Sequence, residues 1–304
     1  MNEENLKTNS PKAWMQAARI YSLSGAAVCV GVGMALSWAD LNATGHTSQY
    51  SWFVFTLSML FAFVMQIDSN FINDYFDCKK GLDDKALRKG PKRACAEGWI
   101  TMTAMKKGIA ITTILSALIG LPLAFIGGWM MVPVGIACII GAFLYTTHLS
   151  YKGLGDVLCL FFFGIIPVCI PYYIQTGCIT ISCLCAGIST GIVIDAMMMA
   201  NNYRDIPSDT LSGKRTLFVR IGKNKARIVF ASVAPIAIIL LTPLYLQGHR
   251  MALALPLLIY MPMHFLAVKR LYNAKELQDI IAVLKISARN IVIYGIATII
   301  GILI

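Results

Sequence analysis

Nine long apolar runs dominate this chain, near 20–39, 51–72, 101–125, 129–148, 157–175, 179–200, 227–246, 251–268 and 286–304. A helix needs roughly 20 such residues to cross a bilayer, and only a backbone that satisfies its own hydrogen bonds can enter the hydrocarbon. With 304 residues, 57% of them hydrophobic and 13% charged, no sizeable soluble domain fits beside nine crossings. The expected fold is all-α and integral to the membrane, a bundle of nine transmembrane helices forming one domain over 1–304. The first run is longer than the apolar region of a signal peptide, so it counts as a crossing. The nine Cys are scattered, and neither Cys78 nor Cys95 belongs to a CxxC pair. They read as packing residues with free thiols.

Charge placement sets the expected orientation, because Lys and Arg are enriched in cytoplasmic loops. With the N-terminus inside, the inner segments hold 25 of the 26 basic residues and only Arg250 falls outside. Adding or dropping one crossing early in the chain would destroy that asymmetry. The net charge of +11 then follows from topology and attraction to an anionic lipid bilayer, and no nucleic-acid partner is implied.

Two inner loops, at about 77–100 and 205–226, are longer than the rest, and each follows a helix with polar last turns. The first of these helices ends Asn73-Asp74-Tyr75-Phe76-Asp77; 128 residues later the chain reads Asn201-Asn202-Tyr203-Arg204-Asp205. Three of the five positions match, and a Gly-containing basic loop follows each copy. The pattern reads as a duplicated helix-plus-loop unit, about 51–125 and 179–246, with a site between the halves. At about 100° per residue, Asn70, Asn73, Asp74 and Asp77 share roughly a 100° arc of one helix. In the second copy Asn201 and Asp205 lie one turn apart, and Pro207 is expected to end the helix near Ile206, leaving Asp209 on the loop.

Carboxylates are costly in a membrane helix and face its interior or a watery cavity. Two facing acidic stripes repel unless something positive lies between them. Oxygen donors without a His/Cys cluster suit Mg²⁺, which takes one or two carboxylates and completes its shell with water and substrate phosphate. The neighbouring cations Lys79, Arg88, Lys92, Arg93, Arg204, Lys214 and Arg215 suit phosphate oxygens, the arginines bidentately. Acids for a metal beside bases for phosphate imply a diphosphate substrate. Helix-end hydrogen bonding would explain one stripe but not its recurrence.

The stretch Asn70 to Asp77 through Gly81-Leu82-Asp83, with Asp205-Ile206-Pro207-Ser208-Asp209, resembles the two aspartate-rich motifs of the UbiA-type intramembrane prenyltransferases. Arg88-Lys89-Gly90-Pro91, Tyr151 to Asp156, Phe161 to Gly164 and Gly213-Lys214-Arg215-Thr216-Leu217 are similar to the branch that acts on 1,4-dihydroxy-2-naphthoate. The resemblance implies Mg²⁺ held by Asn73, Asp74, Asp77, Asp83, Asp205 and Asp209. Asp83 enters through a departure from the general motif, which has an acid where this chain has Gly81. It further implies transfer of a polyprenyl group from polyprenyl diphosphate to the aromatic acid, with decarboxylation, giving demethylmenaquinone in menaquinone synthesis. A multi-pass protein of the bacterial inner membrane, its active site facing the cytoplasm, is implied as well.

Tyr151 and Lys152, on a short loop facing the two long ones, can hold the aromatic acid or the diphosphate, with Tyr145 and Asp156 as further candidates. Phe161 to Phe163 or Tyr172-Tyr173 can line a dry cavity. Asp68 and Asp195 lie deeper and read as interhelical hydrogen-bonding groups; the four His form no ligand-spaced set. Two alternatives remain at this stage: a prenyltransferase for another aromatic acceptor, such as 4-hydroxybenzoate, homogentisate or a tetrapyrrole, and a secondary transporter.

Overall fold

The computed structural model describes residues 6–81, 92–145, 153–211 and 213–304. Among these, secondary structure is helical throughout. A short helix α1 (Pro11–Ala18) precedes nine long ones: α2 (Leu23–Ala43), α3 (Trp52–Lys79), α4 (Met102–Gly127), α5 (Met131–Leu144), α6 (Gly155–Thr176), α7 (Ile181–Leu211), α8 (Leu217–Leu246), α9 (Arg250–Asn273) and α10 (Leu277–Leu303). Eight of the spans are long and apolar enough to cross a membrane, and α5 is a shorter apolar helix. The protein is therefore a multi-pass membrane protein of nine crossing helices among the described residues.

Local chemistry sets the ends. Ser10, Ser51, Thr101 and Thr216 each cap the backbone of the helix that follows, and Glu276 with Asp279 forms a reciprocal capping box on α10. Around the bundle, Ile111, Leu118, Phe125 and Trp129 present apolar surface outward, as lipid contact requires. α2 lies at the centre, packed on α3, α6, α7 and α10.

Three sequence expectations change. α7 does not stop at Ile206 but runs on to Leu211, so Asp209 stands on the helix one turn beyond Asp205. Proline has a helical φ and lacks only its own N–H. Near this terminus Ser208 Oγ donates to the Asp205 carbonyl and Thr210 Oγ1 to the Ile206 carbonyl, at 3.0 and 2.7 Å. α8 starts ten residues before its apolar run, so much of the expected 205–226 loop is helical; Gly222, at φ 75°, breaks its direction in a conformation that suits glycine. Similarly α3 extends through Asp77 to Lys79.

At 28 and 31 residues, α3 and α7 exceed the roughly 20 residues a bilayer core needs by two turns or more. Their polar tips thus stand at one end of the bundle. Midway along α7, close backbone contact holds α6 against it: a Cβ on Gly164 would lie 2.5 Å from the Gly191 Cα, and one on Gly191 would lie 3.0 Å from the Leu160 carbonyl oxygen. Gly164→Leu should lower the melting temperature of the purified protein through overpacking of about 1–3 kcal/mol. Gly135→Leu, where a Cβ meets nothing within 4 Å, should leave it unchanged.

Candidate active site

The stripe on α3 divides by function. Asn70 is buried and donates to the Ala18 carbonyl and Ser22 Oγ at 2.9 and 3.1 Å, fixing the corner between α1 and α2. Asp74, 1% exposed, accepts from the Ala94 and Cys95 backbone N–H groups, one on each carboxylate oxygen, both at 2.9 Å. These bonds tie Asn70 and Asp74 to the chain that surrounds the site. Asp74 thereby anchors the 93–101 segment. That segment is also stitched to the N-terminal strand of chain by Asn9 N–H to the Trp99 carbonyl at 2.8 Å.

The remaining members of the stripe, Asn73 and Asp77, are half-buried at the tip. Arg93, anchored by its neighbours' bonds to Asp74, pairs with Asp77 at 3.1 Å. Lys79 and Lys92 are exposed at the rim. On α7, Arg204 grips Asp205 through both Nε and Nη2 at 2.7 Å, and Lys214 lies 3.7 Å from Asp209. Each acidic tip thus has its own cation among its neighbours. Asn201 bonds its own helix through the Met197 carbonyl, and Arg215 is exposed. Asp83, Arg88, Tyr151 and Lys152 lie outside the described residues.

An apolar cavity of about 150 Å³, open on one side, lies between α2, α3, α4, α5 and α6. Phe61, Met65, Leu123, Phe162, Phe163 and Ile174 form much of its wall, and Ser58, Gln66, Ser69 and Tyr145 are its polar lining. Phe161 is 48% exposed on the outer side, while Tyr172 is fully buried and bonds Asp40, so neither joins the expected aromatic wall. Gln66 lies seven residues before Asn73, two turns down the same face, and sequence periodicity alone could have found it. The face of α3 that lines the cavity therefore continues into Asn73 and Asp77.

Tyr145 joins the two halves. It lines the cavity, donates to Met198 Sδ at 3.0 Å, and lies within electrostatic reach of Asp77 on one side and of Asp156 and Asp195 on the other. Gly153 itself lies against the second basic segment, where φ of 79° and the adjacent Arg215 carbonyl leave no room for a side chain. Among the described residues no three His, Cys, Asp or Glu side chains form a ready-made metal cage. Such a cage is not what Mg²⁺ requires: one or two carboxylates facing a substrate phosphate suffice, and the oxygen donors of Asn73, Asp77, Asp205 and Asp209 fit that description.

Residues 26–288 match the family model described as the UbiA prenyltransferase family. The chain belongs to that family. It is 34% identical over 265 residues to the 1,4-dihydroxy-2-naphthoate octaprenyltransferase of Escherichia coli (strain K12), covering 82% of this chain and 83% of the relative. Identity to the enzyme of the same name from Haemophilus influenzae is 32% over 301 residues, covering 93% and 94%. Among solved structures, a digeranylgeranylglyceryl phosphate synthase superposes with a TM-score of 0.64 at 18% identity, covering 96% of this chain and 98% of that one. A UbiA homologue from Archaeoglobus fulgidus bound to DMAPP and Mg²⁺ gives 0.61 at 16% identity, covering 94% and 98%. The protein is a prenyltransferase by family and shares the UbiA fold.

Sequence reasoning missed the partner of Asp156, which accepts from Asn202 at 3.5 Å, because that pairing needs the packing of α6 on α7. It placed Asp68 correctly: Thr112 and Thr113 of α4 donate to its two oxygens. The division of the α3 stripe has a measurable consequence. Asp74→Ala should destabilise the protein by about 2–5 kcal/mol through two lost charge-assisted bonds, whereas Asp77→Asn should leave its melting temperature nearly unchanged; equal losses in both would refute the split.

Proposed function

We propose that this protein transfers a polyprenyl group from polyprenyl diphosphate to 1,4-dihydroxy-2-naphthoate, with decarboxylation, as a step of menaquinone synthesis. The observation that carries the reading is the continuity of one α3 face, from the dry cavity wall at Gln66 up to Asn73 and Asp77 at the tip. An isoprenoid tail fits the cavity and its diphosphate then meets the acids and bases at the mouth. The names and coverage of the relatives support the acceptor. A carrier would place substrate groups near the bilayer midplane on broken helices; here the acids crown unbroken ones.

In this mechanism Asn73, Asp77, Asp205 and Asp209 are the metal-holding residues, and Arg93, Arg204 and Lys214 are close enough to shift from carboxylate to phosphate. Bound there, Mg²⁺ supplies charge neutralisation for the departing diphosphate. Arg93 and Arg204 orient the diphosphate by bidentate contacts. Phe162 and Phe163 exclude water and offer π-faces to the cationic allylic carbon. The electron-rich ring attacks that carbon. By the positive-inside pattern the mouth faces the cytoplasm, in a bacterial inner membrane. The duplication of the helix-plus-loop unit accounts for the facing tips, and Asp83, Arg88, Tyr151 and Lys152 complete the proposed site on its loops.

Detergent-solubilised protein should release pyrophosphate from polyprenyl diphosphate in the presence of 1,4-dihydroxy-2-naphthoate and Mg²⁺. EDTA should abolish the release, and Asp77→Asn or Asp205→Asn should reduce it by roughly a hundredfold or more. Preference for 4-hydroxybenzoate over the naphthoate would sink the acceptor assignment.

A further inference from the structure

The cavity is lined by α2 to α6 alone, and the pair α9 and α10 carries a separate feature on its outer surface. Asn290 of α10 is buried and donates to the Met263 carbonyl of α9 at 3.1 Å, which sets the two helices level at that point. Its neighbour Arg289 is exposed, and among the described residues its hydrogen-bond partner is the Met263 thioether sulfur, 3.8 Å from Nη2. Such a sulfur is a weak acceptor. Arg289 lies three residues inside the apolar run 286–304, about 4.5 Å along the axis. A guanidinium facing lipid at that depth is costly unless an anion comes to it.

Two further cations share the groove between these helices. Lys285 stands one turn from Arg289 on α10, and Arg270 two turns from Met263 on α9, both exposed. Measured from the Met263–Asn290 contact, they lie about 7.5 and 10.5 Å toward the end of the bundle that carries the acidic tips. The three cations thus run from the edge of the hydrocarbon through the headgroup layer, which is roughly 5–8 Å deep on each side of a bilayer. A short turn over 274–276 makes α9 and α10 antiparallel, so the Cα–Cβ bonds of Arg270 and Lys285 lean toward each other. Among the described residues none of the three pairs with a carboxylate, and the nearby acids Glu276 and Asp279 are engaged in the capping box of α10. Toward the membrane centre the surface turns apolar, with Ile259 exposed one turn beyond Met263 and Ile296 two turns beyond Arg289.

We propose that this groove binds one anionic glycerophospholipid: its phosphate lies among Arg289, Lys285 and Arg270, and an acyl chain runs past Ile259 and Ile296. Charge complementarity selects the occupant. Three cations without carboxylate partners call for an anion, and the apolar surface beyond them calls for one that carries a hydrocarbon chain. A second copy of this chain meeting the groove face to face would set cation against cation. Arg289 supplies a fork of donors suited to two phosphate oxygens, and Lys285 a compact charge beside it. The lipid then bridges α9 and α10 on a surface that the cavity does not reach.

Native mass spectrometry of the full-length protein in a neutral detergent should show one retained dioleoyl phosphatidylglycerol per chain, and no retained dioleoyl phosphatidylcholine at the same concentration. Lys285→Ala with Arg289→Ala should weaken phosphatidylglycerol binding about thirtyfold, at about fivefold per cation near a membrane surface. Lys106→Ala with Lys107→Ala removes the same charge from exposed positions on α4, and should leave binding within about twofold because charges at a distance are screened. The exchange Lys285→Arg with Arg289→Lys conserves the charge and should retain the lipid. Equal loss in the two alanine pairs would overturn the proposal in favour of a diffuse positive surface. So would equal retention of phosphatidylcholine, complete competition by equimolar inorganic phosphate, loss of the lipid in the charge-conserving pair, or a dimer that dissociates when Lys285 and Arg289 are replaced by alanine.

Discussion

A carboxylate cannot sit bare in hydrocarbon, and the architecture follows from where this chain keeps its acids. α3 and α7 carry more turns than a crossing requires, so that Asp77, Asp205 and Asp209 emerge at one end of the bundle. There each finds a cation: Arg93, Arg204 or Lys214. These pairs are partly buried, and their charges exchange partners at little cost only if a dianion arrives to replace the carboxylates on the basic side. On the function proposed above a diphosphate is such a group, and the ion pairs then form a site held ready rather than stabilising bridges.

The bundle is asymmetric below those tips. Between α2 and α6 it is open, with a cavity whose wall is largely aliphatic and aromatic. On the other side Phe230, Tyr260, His264 and Tyr294 fill the interior, and His264 Nε2 lies 2.9 Å from the Phe230 carbonyl oxygen. Motif repetition therefore does not extend to the packing: one half encloses an apolar cavity and the other is filled by side chains. Gly141 contributes to the open half, because a Cβ there would strike the Phe162 ring.

The crossings were legible because nine apolar runs admit few other folds, and the acidic stripes because 3.6-residue periodicity places Asn73 beside Asp77. What the sequence could not supply was the use made of each polar atom. Asp74 and Asp77 look equivalent on a helical wheel, yet the backbone of Ala94 and Cys95 occupies one and leaves the other for Arg93. Likewise Asp68 and Asp195 read alike until α4 brings two threonines to the first and α6 brings a cysteine and a second acid to the other. Pro207 misled for a local reason: its ring imposes a φ that suits the helix, so α7 passes through it at the loss of one N–H donor.

The central claim is that the tips of α3 and α7 act together on one diphosphate. A structure determined with Mn²⁺ and a non-hydrolysable prenyl diphosphate analogue tests it most directly through the anomalous signal of the metal. The account predicts metal peaks touching Asp77 and at least one of Asp205 and Asp209, with the diphosphate between them and the prenyl chain running down past Gln66. Metal bound at one tip alone, or a chain lying outside the α2–α6 cavity, would contradict it.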